Sequence, residues 1–166
     1  MSSFPWTVAT AGHAGLDPFA GTYFASTGCV GAQCITGTSG QQASLTQTLA
    51  TTSGVTYDLS FEFETSEGQA NELEVLWNGT EVLDLGPGGT LGLVSSYTLY
   101  GVSGLAATSS STTLTFLGRQ DPGYDALDNV SVVATATPEP GYAWILSFGG
   151  IMPLLAIRSR RAQQRG

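Results

Sequence analysis

The chain has 166 residues, of which 13 are acidic and only five basic, and it contains no lysine. Four of the five arginines lie in the last nine residues, so residues 1–137 hold 12 Asp and Glu against Arg119 alone, a formal charge of −11. Phosphate recognition needs clustered Lys and Arg, which excludes a nucleic-acid partner. The 137 residues before the basic end suffice for one domain with a real core and are too few for two.

In chain order, Trp6–Ala9 reads as a short strand, followed by a Gly/Ala loop carrying His13 and running to Pro18. Gly21–Ser26 reads as a second strand. Cys29 and Cys34 then enclose a Gly-, Thr- and Ser-rich loop. In an oxidising compartment that pair closes a small disulfide loop; otherwise it is two free thiols. With one lone histidine the spacing is poor evidence for a metal centre.

Ser44–Ala50 places Leu45, Gln47 and Leu49 on one face. In Val55–Glu64, Val55, Tyr57, Leu59, Phe61 and Phe63 alternate with Thr56, Asp58, Ser60, Glu62 and Glu64. This period of two marks one core face and one wet face. Glu72–Trp77 repeats the pattern, Asn78-Gly79 is a type I′ hairpin signal, and Thr80–Leu85 is the return strand. Gly86-Pro87-Gly88-Gly89 breaks the chain, and further strands fit Ser95–Val102, Thr112–Gly118 and Leu127–Ala134. About eight short strands, with no helical period before the tail, predict an all-β antiparallel sandwich of jelly-roll type over residues 1–136.

The last thirty residues differ in kind. Pro138-Glu139-Pro140 is followed by Gly141–Ile157, 17 residues without a charge, and then by Arg158, Arg160, Arg161 and Arg165. About 17 residues is the lower limit for a membrane-crossing helix, so 141–157 can just span, with Pro153 as a kink and Tyr142 and Trp144 at the outer boundary. The arginines after the span place the C-terminus in the cytoplasm and residues 1–137 outside. A tripeptide, apolar helix and Arg-rich end in this order resemble the PEP-CTERM sorting signal, also known as the ice-binding protein C-terminal domain. The resemblance covers roughly residues 137–162 and departs from the usual pattern at Gly141. It implies an exported protein of a Gram-negative bacterium that makes extracellular polysaccharide. It also implies cleavage near the tripeptide by an exosortase, with passage through the inner membrane during sorting and then to the cell surface or medium. Met1-Ser2-Ser3-Phe4-Pro5-Trp6 has no basic or apolar export signal. The expectation is therefore a native N-terminus upstream of this start; the alternative is insertion by the C-terminal span itself.

A second resemblance lies in Gly21-Thr22-Tyr23, Leu45-Thr46-Gln47-Thr48-Leu49, Tyr57-Asp58-Leu59-Ser60-Phe61 and Leu127-Asp128-Asn129-Val130-Ser131-Val132. These stretches look like the galactose-binding-like sandwich domains that often precede PEP-CTERM tails, and such domains often hold a structural calcium.

The candidate chemistry is thin. His13 lies in a loop and reads as exposed. Glu62, Glu64, Glu72 and Glu74 could pair as the two carboxyls of a glycosidase, but a solvated acidic face explains them better. Asp121, Asp125 and Asp128 with Asn129 bring calcium-type oxygens into one loop, or cap a Pro-Gly turn. Trp77 and Tyr57 belong to the core by parity. Trp6, Tyr100 and Tyr124 are placed in loops or on the outer face, either as a glycan platform or as edge filling. The reading is a non-catalytic, exported matrix or surface protein that binds extracellular polysaccharide weakly, or a purely structural single-span protein. It needs no cofactor beyond a calcium, and its processing partner is an exosortase.

Overall fold

A computed structural model describes residues 6–29, 42–66 and 71–135. Nine strands follow one another: β1 (Thr7–Thr10), β2 (Tyr23–Cys29), β3 (Ala43–Ala50), β4 (Thr56–Thr65), β5 (Glu72–Trp77), β6 (Thr80–Leu85), β7 (Thr98–Ala106), β8 (Ser111–Arg119) and β9 (Gly123–Ala134). They form two antiparallel sheets, β1-β2-β9-β4-β7 and β3-β8-β5-β6. Except for β1–β2 and the hairpin β5–β6, each connection crosses from one sheet to the other. The sandwich expected from the alternation is present, with nine strands instead of about eight. No helix occurs among the described residues, and the span 141–157, the sorting residues, the C-terminal arginines and the Cys29–Cys34 pairing lie outside what they describe.

The core follows the period-two rule. Tyr57, Leu59, Phe61 and Phe63 of β4 are buried together with Leu73, Val75 and Trp77 of β5, Leu114 and Phe116 of β8, and Leu127 of β9. Phe61 meets Phe116 edge-on across the sandwich at 5.2 Å. The Trp77 indole N–H donates to the Ala106 carbonyl (2.8 Å), so its polar atom is satisfied where its ring is buried. Asn78 and Gly79 both have positive φ, as a type I′ turn requires.

One expectation needs correction. Tyr100 is not on the outer face: it lies opposite Phe61 in the β4–β7 pairing and stacks on it at 5.7 Å. Trp6 takes the filling role of the two left open for it. It packs against the core, its indole N–H donates to the Ala43 carbonyl (3.0 Å), and its ring lies over Gly118.

The last strand begins at Gly123, four residues earlier than the alternation suggests, because its first half carries a buried aspartate in place of an apolar residue. Asp125 lies opposite Thr27 on one side and Thr65 on the other. It is fully buried, and neither carboxyl oxygen has a hydrogen-bond partner. Asp121 instead forms an ion pair with Arg119 at 2.8 Å. Asp128 accepts from the backbone N–H groups of Ala20 (3.0 Å) and Asn129 (2.7 Å). Asp121 lies near enough to act on Asp125, while Asp128 is engaged by the backbone elsewhere, and no cluster of three His, Cys, Asp or Glu side chains suited to a metal occurs among the described residues.

Two outcomes follow from this packing. A Cβ at Gly118 would lie 2.5 Å from the Trp6 ring and 2.9 Å from the Thr27 methyl. Gly118→Ala should destabilise the fold by about 1–3 kcal/mol in urea unfolding. Combined with Trp6→Phe, the loss should be less than additive, because the smaller ring yields the space. Asp125 behaves oppositely to a paired carboxylate: burial, and then the charge of Asp121, push its pKa well up. The folded chain binds that proton more tightly than the unfolded chain, so stability is full below the unfolded carboxyl's value of about 4 and falls as pH rises toward the folded value. In metal-free buffer, unfolding measured from pH 4 upward should show this decline, about 1.4 kcal/mol per pH unit for one proton, and Asp125→Asn should flatten it.

Candidate functional site

Part of the outer face of the five-stranded sheet, over β1, β2 and the start of β9, is covered by residues 11–22, which fold back onto it. Leu16 is buried against Ala9, Phe24 and Ala126, with Tyr97 and Tyr124 packed alongside. The His13 ring packs edge-on against Tyr124 at 5.1 Å and Phe24 at 6.3 Å. His13 is therefore not the exposed loop residue the sequence suggests, whereas Tyr124 lies on the outer face in the filling role left open for it; both are half-buried packing residues.

Three contacts set the path of this loop. The Asp17 carboxylate accepts from the Gly12 N–H (2.8 Å), the Tyr97 hydroxyl donates to the Asp17 carbonyl (2.9 Å), and the Ala20 N–H donates to Asp128 (3.0 Å). The Tyr97 hydroxyl is held protonated, its pKa pushed up by burial and by the carboxylates of Glu64, Asp128 and Asp17. It remains a donor across the physiological range.

Between this loop and the segment leading into β7 lies a cleft of about 370 Å³. Leu16 and Leu93 give it apolar walls, Ser66 and Ser95 contribute hydroxyl-bearing residues, and Glu64 supplies a carboxylate. Glu64 projects outward because Phe63 and Thr65, its neighbours in the pleat, are buried in the sandwich. Its pKa is raised, first by burial and then by Asp17, against the opposing pull of the Tyr97 backbone N–H. The segment is fixed at β4 by paired bonds between Thr65 and Val94: Thr65 N to Val94 O at 2.9 Å, and Val94 N to the Thr65 hydroxyl at 3.1 Å.

The other carboxylates expected on wet faces are also largely covered. Glu62 and Glu72 are 8% and 6% exposed. Glu62 lies between Asp128 of β9 and Leu99 of β7 in register. Glu72 accepts from the Gly88 N–H (2.9 Å) of the turn that folds over it, and burial raises its pKa. Glu74, half-buried, accepts from the Gln42 side chain. A glycosidase needs two carboxyls facing each other across a cleft, and among the described residues the Glu64 cleft presents one.

A second concavity opens between the sheets, where Leu45, Leu114, Phe116 and Val130 line about 280 Å³. Its walls are apolar, with Thr46 and Gln47 among its lining residues. Of the two, the Glu64 cleft has the mixture of apolar wall and convergent polar groups found in small-molecule sites. Phe19 and Tyr97 beside it were not anticipated. The available signal was Asp17-Pro18-Phe19, a turn dipeptide followed by an aromatic residue that no strand claims.

No family model matches the chain, and no curated protein matches it. Solved structures do. A family 35 carbohydrate-binding module from an environmental isolate superposes with a TM-score of 0.51 at 19% identity, covering 82% of this chain and 92% of that one. A family 61 carbohydrate-binding module solved with β-1,4-galactotriose gives a TM-score of 0.49 at 15% identity, covering 79% and 89%. At such identities the likeness is one of fold: the chain is an antiparallel β-sandwich whose structural neighbours include carbohydrate-binding modules.

Proposed function

We propose that residues 1–136 form a non-catalytic glycan-binding module, and that residues 137–166 are its exosortase-sorted membrane tail. The observation that carries the binding half is the Glu64 cleft. A carboxylate accepts hydroxyl protons, the serines offer donors and acceptors, and Leu16 and Leu93 suit the apolar face of a sugar ring. Its volume of about 370 Å³ lies within the range of small-molecule sites. The sandwich shared with the family 35 module is a scaffold consistent with this role.

Charge narrows the ligand. With a formal charge of −11 over residues 1–137, the module repels polyanions such as uronic-acid polymers and suits a neutral extracellular polysaccharide. The sorting half rests on Pro138-Glu139-Pro140, the uncharged run 141–157 and the four terminal arginines. These would take the chain through the inner membrane to the cell surface or the surrounding matrix.

A glycan array probed with the full chain in detergent should show retention of neutral polysaccharides and not of polyuronates. Glu64→Ala should weaken that binding about tenfold, ~1.4 kcal/mol. Unchanged affinity in this variant would remove the cleft from the reading. Mass spectrometry of the protein fractionated from its host should find a C-terminus between Pro138 and Gly141. An intact Gly166 in the membrane fraction would make the tail a plain single-span anchor.

A further inference from the structure

Beside the Glu64 cleft stands Phe19, 48% exposed. Single exposed apolar residues are ordinary on protein surfaces, but the backbone on either side of Phe19 is fixed. The Tyr97 hydroxyl donates to the Asp17 carbonyl, two residues before Phe19. The next residue, Ala20, donates its N–H to Asp128 of β9. The Phe19 and Tyr97 rings meet edge-to-face, with centroids 5.5 Å apart at 66°. Edge-to-face contact holds the Phe19 ring in place without covering both of its faces. The result is a rigid aromatic surface whose ordering cost is met by the fold before any ligand arrives.

This surface adjoins the cleft through Tyr97, which follows the lining residue Ser95 by two positions and whose hydroxyl lies within the electrostatic reach of Glu64. The Glu64, Asp17 and Asp128 carboxylates all act on the Tyr97 hydroxyl, so acceptors for sugar hydroxyls surround the aromatic pair. Tyr23, another exposed aromatic, lines a groove with Val8 and Val130 instead.

We infer that the Phe19 ring, held against Tyr97, is a second sugar subsite next to the Glu64 cleft, so that the ligand is an oligosaccharide segment and not a single sugar. One unit occupies the cleft, and its neighbour in the chain lays its apolar face on Phe19. This rests on the glycan-binding reading of the cleft.

The test is calorimetric titration of the full chain with mono-, di- and tetrasaccharides of β-1,4-glucan, β-1,4-galactan, β-1,4-mannan and α-1,6-glucan. For the series that binds, affinity should rise about tenfold from mono- to disaccharide, the worth of one aromatic stacking contact. Phe19→Ala should return the longer ligands to the monosaccharide affinity and leave the monosaccharide unchanged. Phe19→Trp should keep the gain, and Phe19→Leu, which retains apolar bulk without a ring face, should lose it. Glu64→Ala should weaken every length. Length-independent affinity, or a Phe19→Ala chain that still prefers the longer ligands, overturns the second subsite and leaves the cleft standing. Absence of binding by the wild-type chain to all four series overturns the subsite and the glycan reading together.

Discussion

The structure depends on the register of β4. This strand pairs with β7 on one side and β9 on the other, and its ten residues send Tyr57, Leu59, Phe61, Phe63 and Thr65 into the sandwich. Because the side-chain period is two, a slip of one residue would exchange these with Thr56, Asp58, Ser60, Glu62 and Glu64. Burying three carboxylates in place of four large apolar side chains is prohibitive, so the register is fixed from within. Fixing the core side fixes the other side as well. Glu62 and Glu64 must project from the outer face, and Glu64 becomes the polar centre of the cleft. The pairing with β9 slips once, between Ser60 and Glu62, where Asn129 takes a positive φ. That bulge keeps Leu127 and Val132 facing the core on either side of it, opposite Phe63 and Leu59.

The second consequence concerns what covers the outer faces. A sheet with one apolar face is expected to leave its other face to water. Here residues 11–22 and the segment after Gly86 fold over part of each sheet and withdraw several carboxylates from solvent without supplying cations. Arg119 is the one Lys or Arg within residues 1–137, and it is paired with Asp121. The carboxylates are instead met by backbone N–H groups: Gly12 at Asp17, Gly88 at Glu72, Ala20 and Asn129 at Asp128. Hydrogen bonds of this kind let an acidic protein bury charge without salt bridges. Burial still raises the proton affinity of Glu64, Glu72 and Asp125, which sets this chain apart from one whose acids are stabilised by ion pairs.

These features divide what the sequence reveals from what it hides. The strands with clean alternation, β4 and β5, and the Asn78-Gly79 hairpin were legible to within a residue or two, because local chemistry alone specifies them. The start of β9 was not legible: Asp125 occupies an inward position, and a polar residue there breaks the pattern that identifies a strand. Tyr100 was misplaced because Gly101 and Gly104 obscure the period of β7, whose inward face shows only when Phe61 lies opposite. The covered glutamates were misread for a different reason. Alternation tells which face a residue is on, and it cannot tell whether a loop remote in sequence lies over that face. Phe19 and Tyr97 belong to the same category.

The candidate site is therefore a product of tertiary closure and of no single motif. Ala20 and Asp128 are 108 positions apart and Asp17 and Tyr97 are 80 apart, yet their bonds together define the loop that walls the cleft. A site assembled from such distant segments exists only in the closed sandwich. A ligand held there binds the native state and has nothing comparable to bind in the unfolded chain, so its affinity adds directly to stability, by about 2.7 kcal/mol at a hundredfold excess over Kd. On the proposed glycan-binding reading, weak sugar binding would then serve two ends. It would attach the protein to polysaccharide, and it would stabilise a fold in which Asp125 is buried without a partner.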